Sequence, residues 1–135
     1  QRPVHLYLQL QPVRGAAGKP QFQGECGWEF GYSLQTRDIL AAATDAEGRR
    51  LDLVQLPEPW KIRVRSMDFV SSYVNYYVCN GAVICAEFGD KEADAEAARV
   101  LANLYPGRQI VALNIDPVGE VGGGIHCATH EQPKA

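Results

Sequence analysis

The dipeptide Asn80-Gly81 constrains this chain more than any other feature of its sequence. It separates two β-rich runs, Ser72–Cys79 and Ala82–Phe88, and a two-residue Asn-Gly connection specifies a hairpin because both residues tolerate positive φ. Gly89-Asp90 then leads into Lys91–Leu104, where Ala93, Ala97, Val100, Leu101 and Leu104 share one helical face before Pro106-Gly107 stops the pattern. Gln109–Ile115 reads as a final, largely buried strand. The predicted order is strand, strand, helix, strand, which places the chain in the α/β class.

Upstream, the alternation Val4–Leu10 reads as a strand with Leu6, Leu8 and Leu10 on one face. Residues 12–32, punctuated by glycine and proline, predict a loop with one short strand at Trp28–Tyr32. Ser33 or Thr36 is placed to cap a helix through Arg37–Ala43, with Ile39, Leu40 and Ala43 on one face, and Thr44–Gly48 turns out of it. Leu51–Leu56 is a strand ended by Pro57 and Pro59, which cannot donate to a ladder. Trp60–Arg65 alternates apolar and basic residues, as an exposed edge or a connecting loop does. The helix-strand pair at residues 36–56 reads as the second half of a preceding copy of the module, and modules of this kind normally bury their faces against more neighbours than two.

The chemistry concentrates near the C-terminus, in Val121-Gly122-Gly123-Gly124-Ile125-His126-Cys127-Ala128-Thr129-His130. Consecutive glycines allow a backbone to approach a ligand closely or two strands to pass closely. A thiol beside open backbone amides and imidazoles is either a nucleophile whose thiolate is stabilised or a small buried core residue. Asp90, Asp116 and Glu120 are the carboxylates that could supply charge to a cation there, but each reads rather as a solvated loop carboxylate, and Asp90 stands where a helix cap belongs. His126 points away from Cys127 if the segment is extended, which makes it structural. A metal site built from His126, Cys127 and His130 lacks a fourth ligand, so no metal is expected.

With 135 residues, 46% hydrophobic and 21% charged, the chain has the size of one globular domain, and its net charge of −3 gives no footprint for nucleic acid or an anionic membrane. No apolar run approaches the roughly 20 residues of a membrane-spanning helix. Cys26, Cys79, Cys85 and Cys127 form no paired metal-binding spacing, so free thiols and a cytoplasmic location are expected. Gln1 stands in place of an initiator Met, as in a piece of a longer gene product.

Several stretches together resemble the C-terminal end of the agmatine deiminases and the bacterial-type peptidylarginine deiminases. They are Ser72-Tyr73-Val74-Asn75-Tyr76-Tyr77, Asn80-Gly81-Ala82-Val83-Ile84, Phe88-Gly89-Asp90, and Gly122-Gly123-Gly124-Ile125-His126-Cys127-Ala128-Thr129 with Gln132-Pro133. Ala43–Arg49 and Leu56-Pro57 extend the resemblance upstream, so that it covers roughly residues 34–133. Residues 1–33 form an unassigned segment, with deiminase-like modules over 34–135. The resemblance implies a propeller of about five strand-strand-helix-strand modules around a central site, of which this chain holds about two. It also implies Cys127 as the nucleophile attacking a small guanidino substrate through a thiouronium intermediate, Gly123 and Gly124 beside the substrate, and no cofactor.

The same family carries an upstream His-x-Asp motif, which this sequence lacks: His5, His126 and His130 are followed two positions later by Tyr7, Ala128 and Gln132. The catalytic set in this chain is therefore incomplete. Two expectations follow, a C-terminal portion of a guanidine deiminase, or a non-catalytic binding or assembly protein that buries its open faces in a homo-oligomer.

Overall fold

The structure is a computed structural model that describes residues 5–9 and 36–132. It divides into two compact units, residues 1–56 and 57–135. In the first, β1 (His5–Gln9) runs parallel to β2 (Asp52–Leu56), with His5 opposite Asp52 and Gln9 opposite Leu56. Parallel neighbours require a crossover, and the connection includes helical residues 36–42 (α1).

The turn after α1 is built by Asp45, whose carboxylate accepts from the backbone N–H of Glu47 and Arg49 and from Arg49 Nε at 2.6 Å. Gly48 supplies the left-handed residue at φ 75°. Ile39 is exposed, so the apolar face expected for this helix is only partly used. The loop with a short strand expected over residues 12–32, and Ser33 as a cap, lie outside the described residues, as does Cys26.

The second unit follows the strand, strand, helix, strand order read from the sequence. β3 (Tyr77–Cys79) and β4 (Ala82–Glu87) pair antiparallel across Asn80-Gly81, with Cys79 opposite Ala82 and Gly81 at φ 81°. α2 (Lys91–Leu104) crosses over to β5 (Gln109–Asn114), which lies parallel to β4 in the sheet order β3-β4-β5. Asp90 caps α2, as its position predicted, accepting from the Ala93 N–H, and it also holds the backbone N–H of Trp60 and Lys61. Trp60–Arg65 is thus a connecting segment tied to the sheet end, with the Arg63 N–H on the Phe88 carbonyl at 3.1 Å.

Ala93, Ala97 and Leu101 bury the inner face of α2, and Val83, Cys85, Ala86 and Phe88 complete the core with Tyr73. The Phe88 ring meets Tyr73 edge to face with centroids 5.1 Å apart. Asp94, in the first turn of α2, accepts from the Tyr73 hydroxyl and from the N–H groups of Phe88 and Gly89.

Two sequence expectations change here. The strand expected over Ser72–Cys79 shortens to Tyr77–Cys79, because residues 72–75 form a turn with the Asn75 N–H on the Ser72 carbonyl, and Tyr73 is drawn to Asp94. β5 was expected to be largely buried, yet Gln109, Ala112, Leu113 and Asn114 are exposed, Leu113 at 45%. An apolar run records what a strand can bury, whereas this unit covers only part of it.

Candidate functional site

The glycine-cysteine stretch leaves the sheet through α3 (Asp116–Gly119), a single turn with Pro117 in its first positions. Asp116 is half-buried in a forked ion pair with Arg63, which also donates to the Glu87 carbonyl. It is therefore not the solvated loop carboxylate that its surroundings in sequence suggested. Gly119 is buried against Phe69, and its carbonyl accepts from the Val70 N–H at 3.3 Å. The path into the site is anchored on both sides.

Gly122 takes φ 78°, and the chain then winds into a 3-10 turn, His126–Ala128. The turn is closed by the Ala128 N–H on the Gly124 and Ile125 carbonyls and by the Thr129 hydroxyl on the Ile125 carbonyl at 2.9 Å. The segment is therefore helical where the reading of His126 assumed extension. Cys127 is exposed, which removes the alternative of a small buried core cysteine, while Cys85 is the buried thiol and Cys79 is half-buried.

Asn75 closes over this turn. Its Oδ1 accepts from the His126 N–H at 2.7 Å and its Nδ2 donates to Cys127 Sγ at 3.1 Å. A Cβ on Gly124 would collide with the Asn75 amide, so only glycine admits this approach. Two positions on, the Tyr77 hydroxyl donates to the His130 carbonyl at 3.4 Å.

The electrostatics follow from these contacts. The Asn75 amide and then the Gly124 N–H hold the Cys127 thiol below its ordinary pKa, outweighing the opposing effect of desolvation. Cys85 is pushed up to about 11, chiefly by burial and further by Asp94. An amide donor stabilises a thiolate more than a thiol, because the charged acceptor makes the stronger bond.

The structure thus brings Gly124 and Cys127 to one sulfur-centred site. Gly123 lies beside them with its N–H engaged on the Val118 carbonyl at 3.3 Å. Glu120 is exposed on the approach, and Asp90 and Asp116 are committed elsewhere. Among the described residues, no group of three His, Cys, Asp or Glu is placed to hold a metal ion.

Residues 29–133 match the sequence profile of the Porphyromonas-type peptidyl-arginine deiminases. The chain belongs to that family. A Streptomyces coelicolor protein provisionally named an agmatine deiminase is 40% identical over 98 residues, covering 72% of this chain and 29% of that protein. The agmatine deiminase of Medicago truncatula is 32% identical over 126 residues, covering 78% of this chain and 33% of its own length. The solved agmatine deiminase of Enterococcus faecalis superposes with a TM-score of 0.69 at 24% identity, over 84% of this chain and 36% of that one, a likeness of fold. This deiminase-family chain spans about a third of the length of the relatives it matches.

Asn75 is the site residue that reading the family chain for chemistry did not single out. The available signal was a polar residue set among the aromatics Tyr73, Tyr76 and Tyr77, in a run otherwise suited to a strand. Its partners lie 51 and 52 positions away, beyond the reach of any local pattern. Among the described residues no helix is long and apolar enough to cross a membrane.

Proposed function

We propose that this chain supplies the C-terminal portion of a guanidine deiminase acting on agmatine or peptidyl-arginine, with Cys127 as its nucleophile. The observation that carries this reading is the exposed Cys127 thiol, depressed in pKa by the Asn75 amide and the Gly124 N–H at the end of a glycine-rich loop. The substrate class is supported by the relatives, several of which are named agmatine deiminases.

In this reading the thiolate attacks the guanidinium carbon and a C–S bond forms. A C–N bond then breaks as its nitrogen takes a proton and leaves as ammonia. Water attacks the resulting S-linked thiouronium, the C–S bond breaks, and the sulfur returns as thiolate with release of a ureido product. The two protons given up by water restore the group that protonated the leaving nitrogen and convert ammonia to ammonium. Gly123 and Gly124 let the backbone approach the flat cation.

A proton-moving histidine and carboxylates to grip the guanidinium complete the chemistry. His5, His126 and His130 carry no His-x-Asp motif, and Asp90 and Asp116 are already occupied, so the reading draws those groups from the rest of the deiminase. It takes residues 34–135 as about two of the five modules of an α/β propeller, with residues 1–33 unassigned. Free thiols at Cys79, Cys85 and Cys127 fit a cytoplasmic setting, and the exposed β5 fits a homo-oligomer.

Incubation of the 135-residue chain with agmatine, with ammonia as the readout, tests the enzyme directly: turnover abolished by Cys127→Ala supports it. Selective labelling of Cys127 by a haloacetamidine supports the activated thiol even without turnover. Equal labelling of Cys127 and the other thiols overturns the reading, and inactivity with a stable dimer favours assembly.

A further inference from the structure

We propose that Arg63 is a positioning residue for Cys127, acting through Asp116 to set where the cysteine-bearing loop leaves the sheet. The inference rests on Cys127 being the nucleophile and adds what aligns the loop that carries it.

The chain between the end of β5 at Asn114 and Cys127 contains three consecutive glycines, whose backbone settles on no single path by itself. Its own hydrogen bonds are local: the Glu120 N–H meets the Asp116 carbonyl and the Gly122 N–H meets the Gly119 carbonyl, each at 3.0 Å. Such bonds shape the loop but do not tie it to the body of the unit.

Residues 63–70 supply ties. Arg63 forks onto the Asp116 carboxylate, the Phe69 ring lies against Gly119, and the Val70 N–H donates to the Gly119 carbonyl. Further along, a Cβ on Gly122 would stand 3.8 Å from the Asp68 carbonyl oxygen. The segment therefore runs beside the loop as a splint, from the first residue of α3 to the first of the three glycines.

Arg63 is the charged end of that splint, and the end of β4 orients it. Its N–H is on the Phe88 carbonyl, Nη2 donates to the Glu87 carbonyl, and Nη1 lies 3.5 Å from the Glu87 carboxylate. Its stem lies over Gly89, at φ 94°, where a Cβ would come within 2.8 Å of Arg63 Cγ. On the other side, the Asp116 N–H is held by Asn114 Oδ1 at 2.9 Å. A guanidinium fixed by the sheet and presenting two N–H groups to a carboxylate sets both the distance and the plane of that carboxylate. Asp116 first, and then Glu87 and Asp94, raise the Arg63 pKa against the effect of burial, so the donor stays charged wherever thiols titrate.

The test is the pH profile of iodoacetamide alkylation at Cys127 in the full 135-residue chain, resolved from the other three cysteines by peptide mapping. Arg63→Met keeps a stem over Gly89 and removes the fork, and Asp116→Asn keeps the size and removes the charge. Each is expected to raise the midpoint of the profile and to slow alkylation at pH 7 by about threefold, because a loop set at no fixed angle meets the Asn75 amide only part of the time. The double variant should slow it by the same factor as either single one, since both remove one link. Arg63→Lys restores the charge without the fork and should not recover the rate. All rates should converge with the parent's at pH 10 and above, where the thiol is ionised in every form. Protection of Cys85 reports that each variant is folded, and Asp116→Asn carries the test if Arg63→Met is not.

Unchanged profiles in the single variants, with the parent midpoint still below that of an ordinary thiol, overturn the role of Arg63 and leave the nucleophile in place. Additive slowing in the double variant, equal slowing at every pH, or full recovery by Arg63→Lys overturns it as well. A parent chain whose Cys127 titrates like an ordinary thiol overturns the nucleophile itself.

Discussion

Arg63 and Asp116 form a forked ion pair across 53 positions of sequence, with Nε–Oδ2 at 2.7 Å and Nη2–Oδ1 at 3.2 Å. The same Nη2 donates to the Glu87 carbonyl at 2.6 Å, so one guanidinium ties the connecting segment to the end of β4 and to the start of α3. Arg63→Lys should be far from conservative, because an ammonium cannot reproduce the fork. The expected loss is about 1 kcal/mol of stability, reduced by the partial exposure of the pair. Urea unfolding of the two forms checks this, and equal midpoints would remove the anchoring role.

Asp90 contributes to the acid sensitivity of the second unit. Burial raises its pKa, but the N–H groups of Trp60, Lys61 and Ala93 together outweigh burial and leave the carboxyl below its ordinary value. A group lowered in this way contributes stability above the unfolded-chain value of about 3.9 and loses it as pH falls through the still lower folded value. Asp90→Asn, which can still cap a helix, should flatten the fall in melting temperature between about pH 5 and pH 2. Asp90→Ala should cost about 2 kcal/mol at neutral pH through the lost cap and two orphaned N–H groups.

Thiol selectivity provides a third check. At pH 7 iodoacetamide should modify Cys127 and spare Cys85, whose thiol is buried and raised to about 11. Urea should abolish the difference by exposing both. Faster reaction at Cys85 in the folded chain would contradict the arrangement.

Gly119→Ala should destabilise the chain by about 1–3 kcal/mol, because its Cβ would stand 2.5 Å from Phe69 Cε2 in a buried position. Phe69→Ala in the same background should recover part of the loss, and a double-mutant cycle measures the coupling.

Tyr73→Phe should cost about 1 kcal/mol, the size of one hydrogen bond, since the ring still packs on Phe88. A loss several times larger would mean that the hydroxyl serves more than Asp94.

What was legible in the sequence was local. Asn80-Gly81 announced the hairpin, and Asp90 with the apolar spacing of Ala93, Ala97 and Leu101 announced α2 over Lys91–Leu104. The glycines and Cys127 marked the site because their chemistry is unusual in itself. Arg63 was hidden inside an alternation that resembles an exposed edge, Asn75 inside a run that resembles a strand, and the exposure of β5 behind an apolar composition. Each was decided by a contact or its lack across long stretches of chain, where no periodicity reaches.

Asp94 accepts hydrogen bonds from the turn before Asn75, from the end of β4 and from Gly89, while itself belonging to α2. A carboxylate shared in this way cannot release one donor without weakening its hold on the others, so helix docking and closure of that turn form a single cooperative event. Heating should therefore erase the distinctive reactivity of Cys127 at the same temperature at which the helical signal melts, with no earlier step in which the thiol alone is let go.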